Sequence, residues 1–374
     1  MHRPFLTITK SPSIATVTRY AYLNTLVSAL SVRLLSAEQL WNLVEQSASD
    51  ASVLLRTAGL TGVSLQAMED RSLEQVLVDT LWAEAQRLIR PLSAEAQELT
   101  SYWLRRFEIG NLKIVLRGKL TGRPREAIQA DLIDIGGRGV LPLNLLMETE
   151  DAQEMLHCLE GTPYGGLAHQ ARSGYGGEHY DLPHGGGGRE SFLIEATIDR
   201  EYYSGLARRV NAIQEERDRH YLRILIGYLI DQTNLVWLLR YRFAYRLGPP
   251  LTYFLLCPGG YHLRSQHLLA LARGENFEET LHNLPAPLAP LVAGAVSTSE
   301  VEERLGKHLL EVAQFILKRT TFNLGRAFAY LFLREKELLR IHGIIKGRTL
   351  QLPPHLIHQA MGLESAGFKE DESF

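Results

Sequence analysis

Hydrophobic side chains recur at helical spacing along most of this chain. Between residues 72 and 89 they follow an i, i+3, i+4, i+7 pattern, which places them on one face of an α-helix. The same spacing returns over residues 199–230 and again after residue 299. Short apolar runs beside turn glycines, which are typical of strands, occur only at 132–135 and 251–256. The pattern therefore predicts an all-α protein.

A twelve-residue segment occurs three times in the chain without gaps. The copies are EIGNLKIVLRGK at 108–119, DQTNLVWLLRYR at 231–242 and ELLRIHGIIKGR at 337–348, called here the first, second and third signature segments. Each begins with an acidic residue and ends with two basic residues, a charge order that the helix dipole favours. The shared charged positions are Glu108, Asp231 and Glu337 at the start, and Arg117, Lys119, Arg240, Arg242, Lys346 and Arg348 at the end. A chance match between leucine-rich helices is the alternative interpretation.

Each signature segment follows a long amphipathic helix, and a shorter leucine-rich helix pair precedes that helix. The chain thus divides into three helical units at 33–119, 136–242 and 259–348. The middle unit is longer because of a glycine-rich stretch at 161–190, which is expected to be a flexible loop. The acidic residues 364–374 are expected to form a frayed tail. Three similar units can form an open solenoid or close around a threefold axis, and periodicity alone does not choose between them.

Composition limits the function classes that fit this chain. Forty Lys and Arg balance 42 Asp and Glu, for a net charge of −2, which disfavours general binding to nucleic-acid phosphates. The two cysteines, Cys158 and Cys257, are far apart and suit a reducing compartment. The longest apolar run, near 224–230, is shorter than the roughly 20 residues of a membrane span. We therefore expect a cytoplasmic chain without a membrane span of its own.

Motifs for catalysis or cofactor binding are not found in the sequence. The Gly-Lys pair at 118–119 lacks the spacing of a phosphate-binding loop, and Leu120 occupies the place of the magnesium-binding hydroxyl. His355 and His358 have the spacing of two metal ligands on a helix, but no third ligand accompanies them. We therefore predict no catalytic residues, no cofactor and no metal site.

Two other functions remain open at this point. Arg240, Arg242 and Arg246 alternate with aromatic residues, a pattern used in RNA binding, although a basic helix face with aromatic packing is the favoured interpretation. An α-solenoid scaffold that binds peptide or RNA is the alternative function, and a row of exposed aromatic side chains would support it. An enzyme with an unrecognised site in a central cavity would need converging carboxylates and histidines, which the sequence does not display.

Four stretches of the chain resemble a single protein family. They are YAYLNTLVSALSVRLLSAEQL from Tyr20, NLKIVLRGKLTG from Asn111, DLIDIGG from Asp131 and AYLFLREKELLRIHGIIKGR from Ala329. Over residues 15–360 the chain resembles the C subunits of bacterial and archaeal V/A-type ATPases, whose equivalents in the eukaryotic enzymes are the d subunits.

The resemblance implies a funnel of three similar helical lobes about a pseudo-threefold axis, with a central cavity. It further implies a non-catalytic rotor subunit on the cytoplasmic side of the membrane. Such a subunit links the central-stalk subunits to the membrane proteolipid ring and transmits torque for ATP-coupled transport of protons or sodium ions, without binding nucleotide. The sequence departs from the family pattern in the glycine-rich stretch, at Tyr241 and at a Gly248–Pro249–Pro250 break.

The charged residues of the signature segments then have two interpretations. They either cap helix ends and pair with a neighbouring lobe, or they face the stalk or the ring. Lobe packing is favoured, because a helix C-terminus attracts a cation whatever the partner is.

Overall fold

The computed structural model describes residues 13–60, 70–135, 139–175 and 188–362, and every regular element within these ranges is helical. The prediction of an all-α protein is confirmed for this part of the chain. The helices, in chain order, are α1 (Ile14–Ser31), α2 (Ala37–Glu45), α3 (Ala48–Thr57), α4 (Asp70–Ile89), α5 (Ala94–Leu104), α6 (Arg106–Leu120), α7 (Arg125–Asp131), α8 (Leu143–Glu148), α9 (Ala152–Cys158), α10 (Gly165–Tyr175), α11 (Gly188–Ala212), α12 (Glu216–Leu239), α13 (Pro249–Leu255), α14 (Ser265–Ala272), α15 (Phe277–His282), α16 (Leu288–Val292), α17 (Thr298–Arg319), α18 (Leu324–Thr349) and α19 (Pro354–Ala360). A π-helical turn, Arg240–Ala244, continues α12.

The described residues form two compact units. One, the continuous unit, runs from 92 to 316, and the other, the two-segment unit, combines residues up to 91 with those from 317 onward. The two-segment unit is therefore built from parts of the chain that are far apart in sequence.

The continuous unit has two hydrophobic clusters. The first surrounds α6 and joins Leu112 and Leu116 to Met155 of α9 and Ile198 of α11. The second surrounds the end of α12 and draws on α13 to α17. Each cluster thus contains one signature segment, the helix pair that follows it and the next long helix.

In the two-segment unit α18 is the central helix. It packs against α1, α2 and α4, and it contacts α19 at its C-terminal end. Phe328, Ile341 and Ile344 on α18 are fully or almost fully buried, as are Leu43 on α2 and Leu88 on α4. The third signature segment thus also lies in a core with one helix pair and one long helix, here α2–α3 and α4.

Two predicted elements differ in the structure. The apolar pattern over 199–230 is divided between α11 and α12, because the chain leaves the helix after Ala212, and the Arg219 side chain donates to the Ile213 carbonyl at 2.7 Å. The strand-like run at 251–256 lies largely in α13, whose first two helical positions are prolines, residues that fit the first turn of a helix.

The glycine-rich stretch at 161–190 also differs from the expected loop. It is helical over Gly165–Tyr175, where Ala168 and Ala171 are buried against the first cluster, and helical again from residue 188. Burial of this apolar face outweighs the entropic cost of helical glycines. Residues 176–187 and the predicted tail at 364–374 lie outside the described residues.

One helix among the described residues, Glu216–Ala244, has the length and apolar composition of a membrane span. However, 72% of its apolar window is buried inside the fold, which is the environment of a core helix.

Candidate functional site: the three signature segments

The first residue of each signature segment is a buried carboxylate that accepts backbone N–H groups. Glu108 accepts those of Val140 at 2.6 Å and Leu141 at 2.7 Å. Asp231 accepts that of Leu263 at 2.9 Å. These loop residues lead directly into α8 and α14, so each carboxylate fixes the start of the helix pair that follows its own segment.

The third segment repeats this contact with the beginning of the chain. Glu337 accepts the N–H of Leu35, which lies 302 residues earlier in the sequence. The three leucines whose N–H groups are bound each lie two residues before a helix pair: Leu35 before α2–α3, Leu141 before α8–α9 and Leu263 before α14–α15. The same contact therefore occurs three times, and the third segment uses the first helix pair of the chain.

A second repeated contact comes from an asparagine three residues after the acid. The amide of Asn111 donates to the Ile133 carbonyl and accepts the Ile133 N–H, both at 2.8 Å. Asn234 exchanges the same two bonds with Cys257, again at 2.8 Å. Each asparagine ties the backbone that follows α7 or α13 to its signature helix. The third segment has Arg340 at this position.

The last basic residue of each segment donates to backbone carbonyls of the helix pair that the acid of that segment binds. These carbonyls lie near the end of the first helix of the pair. The acceptors are Met147 (3.2 Å) and Thr149 for Lys119, Gly274 (3.1 Å) for Arg242, and Leu43 and Gln46 (2.7 Å) for Arg348. Carbonyls in the last turn of a helix have no partner within the helix, so these cations satisfy and charge-stabilise them.

The first basic residue of each pair lies closer to the surface. Arg117 forms an ion pair with Glu195 of α11, with 2.6 Å between Nε and Oε1, and Arg240 pairs with Glu302 of α17 at 2.7 Å. Lys346 lies in the last turn of α18. Ion pairs exposed to this extent each stabilise a protein by up to about 1 kcal/mol.

A glycine between the two basic residues permits a close helix contact in two of the segments. A Cβ at Gly118 would overlap the side chain of Ile128 on α7, and one at Gly347 would lie 2.9 Å from Cγ1 of Ile357 on α19. The second segment has Tyr241 here, which is buried, and the π-helical turn occurs at this place. A local change of helix geometry thus accompanies the departure from the family pattern.

The residue three positions before the acid is an arginine in the first and third segments, Arg105 and Arg334, and a tyrosine in the second. In the third it is Arg334, which is 0% exposed and binds Glu84 of α4 through Nε at 3.1 Å, as well as Glu337. Tyr330 donates to Glu84 at 2.6 Å. Burial raises the pKa of Glu337, and the positive charge of Arg334 opposes that rise.

In the second segment the corresponding residue is Tyr228, and no arginine among the described residues faces the acid. The Tyr228 ring lies 4.9 Å from the ring of His262 and 5.3 Å from that of His308. Burial raises the pKa of Asp231 to about 7, although backbone N–H groups donate to its carboxylate. Burial lowers the pKa of His262 to about 4.

The alternating arginines and aromatic residues after 239 do not form an exposed row. Tyr241 is buried, Arg242 donates to carbonyls inside the fold, and Phe243 packs on Phe277 with ring centroids 6.1 Å apart. Tyr245 is 50% exposed. This part of the described chain therefore lacks the platform that an RNA-binding scaffold needs.

The remaining candidate residues lie apart from one another. His358 is buried and stacks on Trp41 with ring centroids 3.6 Å apart. Within the described ranges, no three His, Cys, Asp or Glu side chains are placed to hold a metal ion. Cys257 is fully buried, and burial raises the pKa of its thiol.

Two important residues, Glu84 and Arg334, had no predicted role. The sequence feature that could have indicated their role is the position of Glu84 within the apolar face of α4, one residue before the buried Ala85. A charged residue on a buried helix face requires a partner of opposite charge.

These contacts define an all-helical protein in which a thrice-repeated segment binds the protein's own backbone at matching positions. Residues 23–360 match the sequence model of the ATP synthase (C/AC39) subunit family, and the chain belongs to that family. The resemblance stated from the sequence is confirmed.

Several curated proteins are similar over most of the chain. The C subunit of the A-type ATP synthase of Methanocaldococcus jannaschii is 24% identical, over 91% of this chain and 86% of its own length. The corresponding C subunit of Methanosarcina mazei is 23% identical, over 90% and 91%, and that of Pyrococcus abyssi is 24% identical, over 92% and 90%.

Proposed function

We propose that this chain is the non-catalytic central rotor subunit of a V/A-type rotary ATPase. It links the central-stalk subunits to the proteolipid ring of the membrane sector and transmits torque for ATP-coupled ion transport. The observation that carries this proposal is the repetition of the same backbone contacts at three places in a chain of the ATP synthase (C/AC39) subunit family.

A torque-transmitting part must resist deformation, and these contacts supply stiffness. In each signature segment the acid accepts a backbone N–H at the start of a helix pair. The last basic residue of the segment donates to backbone carbonyls near the end of the first helix of that pair. Because the partners are backbone atoms, the helices are joined directly rather than through two mobile side chains. The long helices therefore deform together under load.

The order of the contacts supports a closed funnel of three lobes. The first segment binds the second helix pair, the second binds the third, and the third returns to the first pair at Leu35. A closed arrangement about a pseudo-threefold axis requires this return, whereas an open solenoid leaves its last unit without a following pair. In this proposal the units 33–119, 136–242 and 259–348 each bind the helix pair of the next unit.

The partners that follow are the central stalk, within the central cavity, and the proteolipid ring. The chain would lie on the cytoplasmic face of the membrane as part of the complex, without nucleotide and without a span of its own. The charged residues of the signature segments serve lobe packing, which their backbone contacts support.

Reconstitution with separately purified stalk and ring subunits tests the rotor function. We expect this chain to be required for the stalk to bind the ring, and we expect calorimetry to detect no ATP binding by the isolated chain. Stalk and ring that join equally well without the chain would contradict the proposal.

Alanine substitution of each basic pair tests the packing role separately. Changing Lys119, Arg242 or Arg348 together with its neighbouring cation should lower the melting temperature, with assembly intact in the folded fraction. The matched control is Arg223→Ala, an exposed cation on α12. Loss of assembly at an unchanged melting temperature would assign the pair to a partner interface instead.

A further inference from the structure

The second signature helix ends one residue later than the other two. A residue with a left-handed backbone follows each helix, with a φ of 64° at Gly122, 54° at Arg246 and 56° at Gln351. Gly122 and Gln351 each lie 14 residues after the acid of their segment, whereas Arg246 lies 15 residues after Asp231. The π-helical turn, Arg240–Ala244, lies within this longer interval. Because a π-turn is an α-helical turn with one extra residue, the interval and the turn have the same origin.

The hydrogen bonds contain the same extra residue. The asparagine contact spans 22 residues from Asn111 and 23 residues from Asn234. The backbone bond that closes each helix end spans five residues at Arg123 (2.8 Å) and Leu352 (2.9 Å), but six residues at Leu247 (2.8 Å). Because the twelve-residue segments align without gaps, the extra residue follows the second segment directly.

Tyr241 gives a physical reason for the insertion. At this position Gly118 and Gly347 allow an isoleucine of the next helix to approach closely, and a tyrosine side chain would exclude that contact. The Tyr241 ring lies instead among aromatic side chains, with its centroid 5.4 Å from that of Phe192 and 6.2 Å from that of Trp237. The wider π-turn thus accommodates a side chain that the glycine contact cannot.

The insertion removes a backbone hydrogen bond at this helix end. The N–H groups of Gly122 and Gln351 donate to carbonyls at 3.1 and 2.9 Å, whereas that of Arg246 has no acceptor among the described residues. The Nε atom of Arg242 is likewise buried without a partner in the described part of the chain. Beyond the turn Leu247 is buried, and its carbonyl accepts from Arg242 at 2.6 Å. The missing bond is therefore confined between two anchored residues.

We propose that the inserted residue makes 243–246 a segment that opens locally, while Leu247 and the signature helix stay in place. Opening there breaks one backbone bond, from the Tyr245 N–H to the Arg240 carbonyl at 2.8 Å, because the next N–H already lacks an acceptor. At the other two ends Thr121 and Leu350 make the equivalent bond, and a second bonded residue follows each of them. This inference does not depend on the rotor function, because it concerns the isolated chain.

Hydrogen–deuterium exchange resolved to single residues tests the proposal in the unmodified chain. The amides of Thr121, Tyr245 and Leu350 form a matched set, because each makes the last bond before the left-handed residue and each side chain is exposed. After correction for intrinsic rates, Tyr245 should exchange about threefold to tenfold faster than the other two, as expected for one missing neighbouring hydrogen bond. The Leu247 amide should stay protected. Equal exchange of the three matched amides would overturn the proposal, whatever the variants below do.

Changing the spacing tests the cause. Deletion of Ala244 restores the interval of 14 residues and should slow the Tyr245 amide to within about twofold of Thr121. Insertion of one alanine after Leu120 lengthens the first interval to 15 and should accelerate the Thr121 amide about threefold to tenfold. Ala244→Ser keeps the length and is the control, with an expected change at Tyr245 of less than about twofold.

The two length variants can each refute the insertion as the cause. A folded deletion variant in which Tyr245 still exchanges fast would overturn the proposal. An insertion variant in which the Thr121 amide keeps its original rate would do the same. Should neither variant fold, the comparison of the three amides in the unmodified chain decides.

Discussion

Replacing Asn234 by leucine removes a contact whose value can be worked from the structure. Asn234 is 0% exposed, and both bonds of its amide to Cys257 are 2.8 Å long. Leucine has the same branched shape and the same number of heavy atoms as asparagine, so no cavity forms, but the Cys257 N–H and carbonyl lose their partner. Each unsatisfied buried group costs about 1–3 kcal/mol, so the loss of both partners should lower the unfolding free energy of the variant by about 2–6 kcal/mol.

Asn111→Leu provides the internal comparison. It breaks the same two bonds, but its partner Ile133 is only partly buried, so water can reach the freed groups. We expect a smaller loss of about 1–2 kcal/mol. The difference between the two variants therefore measures the effect of burial at constant chemistry.

The assay combines urea unfolding with hydrogen exchange at the Cys257 amide, because a chain of two compact units need not unfold in one step. Exchange at Cys257 should accelerate in Asn234→Leu and remain unchanged in Asn111→Leu. A loss below about 1 kcal/mol in Asn234→Leu, or a larger loss in Asn111→Leu, would refute the reasoning that buried backbone groups dominate this contact.

Two further outcomes follow from the signature sites. Gly118→Ala and Gly347→Ala should each lower the unfolding free energy by about 1–3 kcal/mol, because the new methyl groups would overlap isoleucine side chains. Gly110→Ala is the control: a Cβ there meets no neighbouring side chain within 4 Å, so the substitution should raise the unfolding free energy by about 0.5–1 kcal/mol. Equal effects of the three substitutions in urea unfolding would contradict this. Because the pKa of Asp231 is about 7 in the folded chain and 3.8 ordinarily, folding retains a proton between these values. The unfolding free energy should therefore fall by about 2–4 kcal/mol, relative to Asp231→Asn, as pH rises from about 4 to about 7, and a flat difference would contradict the raised pKa.

Local features of the fold could be predicted from the sequence, and distant contacts could not. The helix of residues 72–89 was predictable because a 3.6-residue period is a property of neighbouring positions, and α4 occupies 70–89. The charged ends of the signature segments were identified by gapless comparison. Their partners were not, since no periodicity in the chain relates Glu337 to Leu35.

The grouping of helices shows the same limit. The linear order places each helix pair in one unit with the signature segment after it, whereas the backbone contacts of the acids join α8–α9 and α14–α15 to the segment before them and α2–α3 to the third segment. Both groupings satisfy the same hydrophobic pattern, so only the three-dimensional contact distinguishes them. Glycine content was likewise misleading at 165–175, where burial of Ala168 and Ala171 stabilises a helix that local propensity disfavours.

The hydrogen bond between Leu35 and Glu337 has a consequence for synthesis of the protein. The helix pair α2–α3 leaves the ribosome 302 residues before the carboxylate that holds it. At about 5–20 residues per second, this interval is roughly 15–60 s. Leu43, which is fully buried in the finished protein, remains without its α18 partners throughout that time. The buried face of α2 therefore lacks its α18 partner until the segment that contains Glu337 has been synthesised.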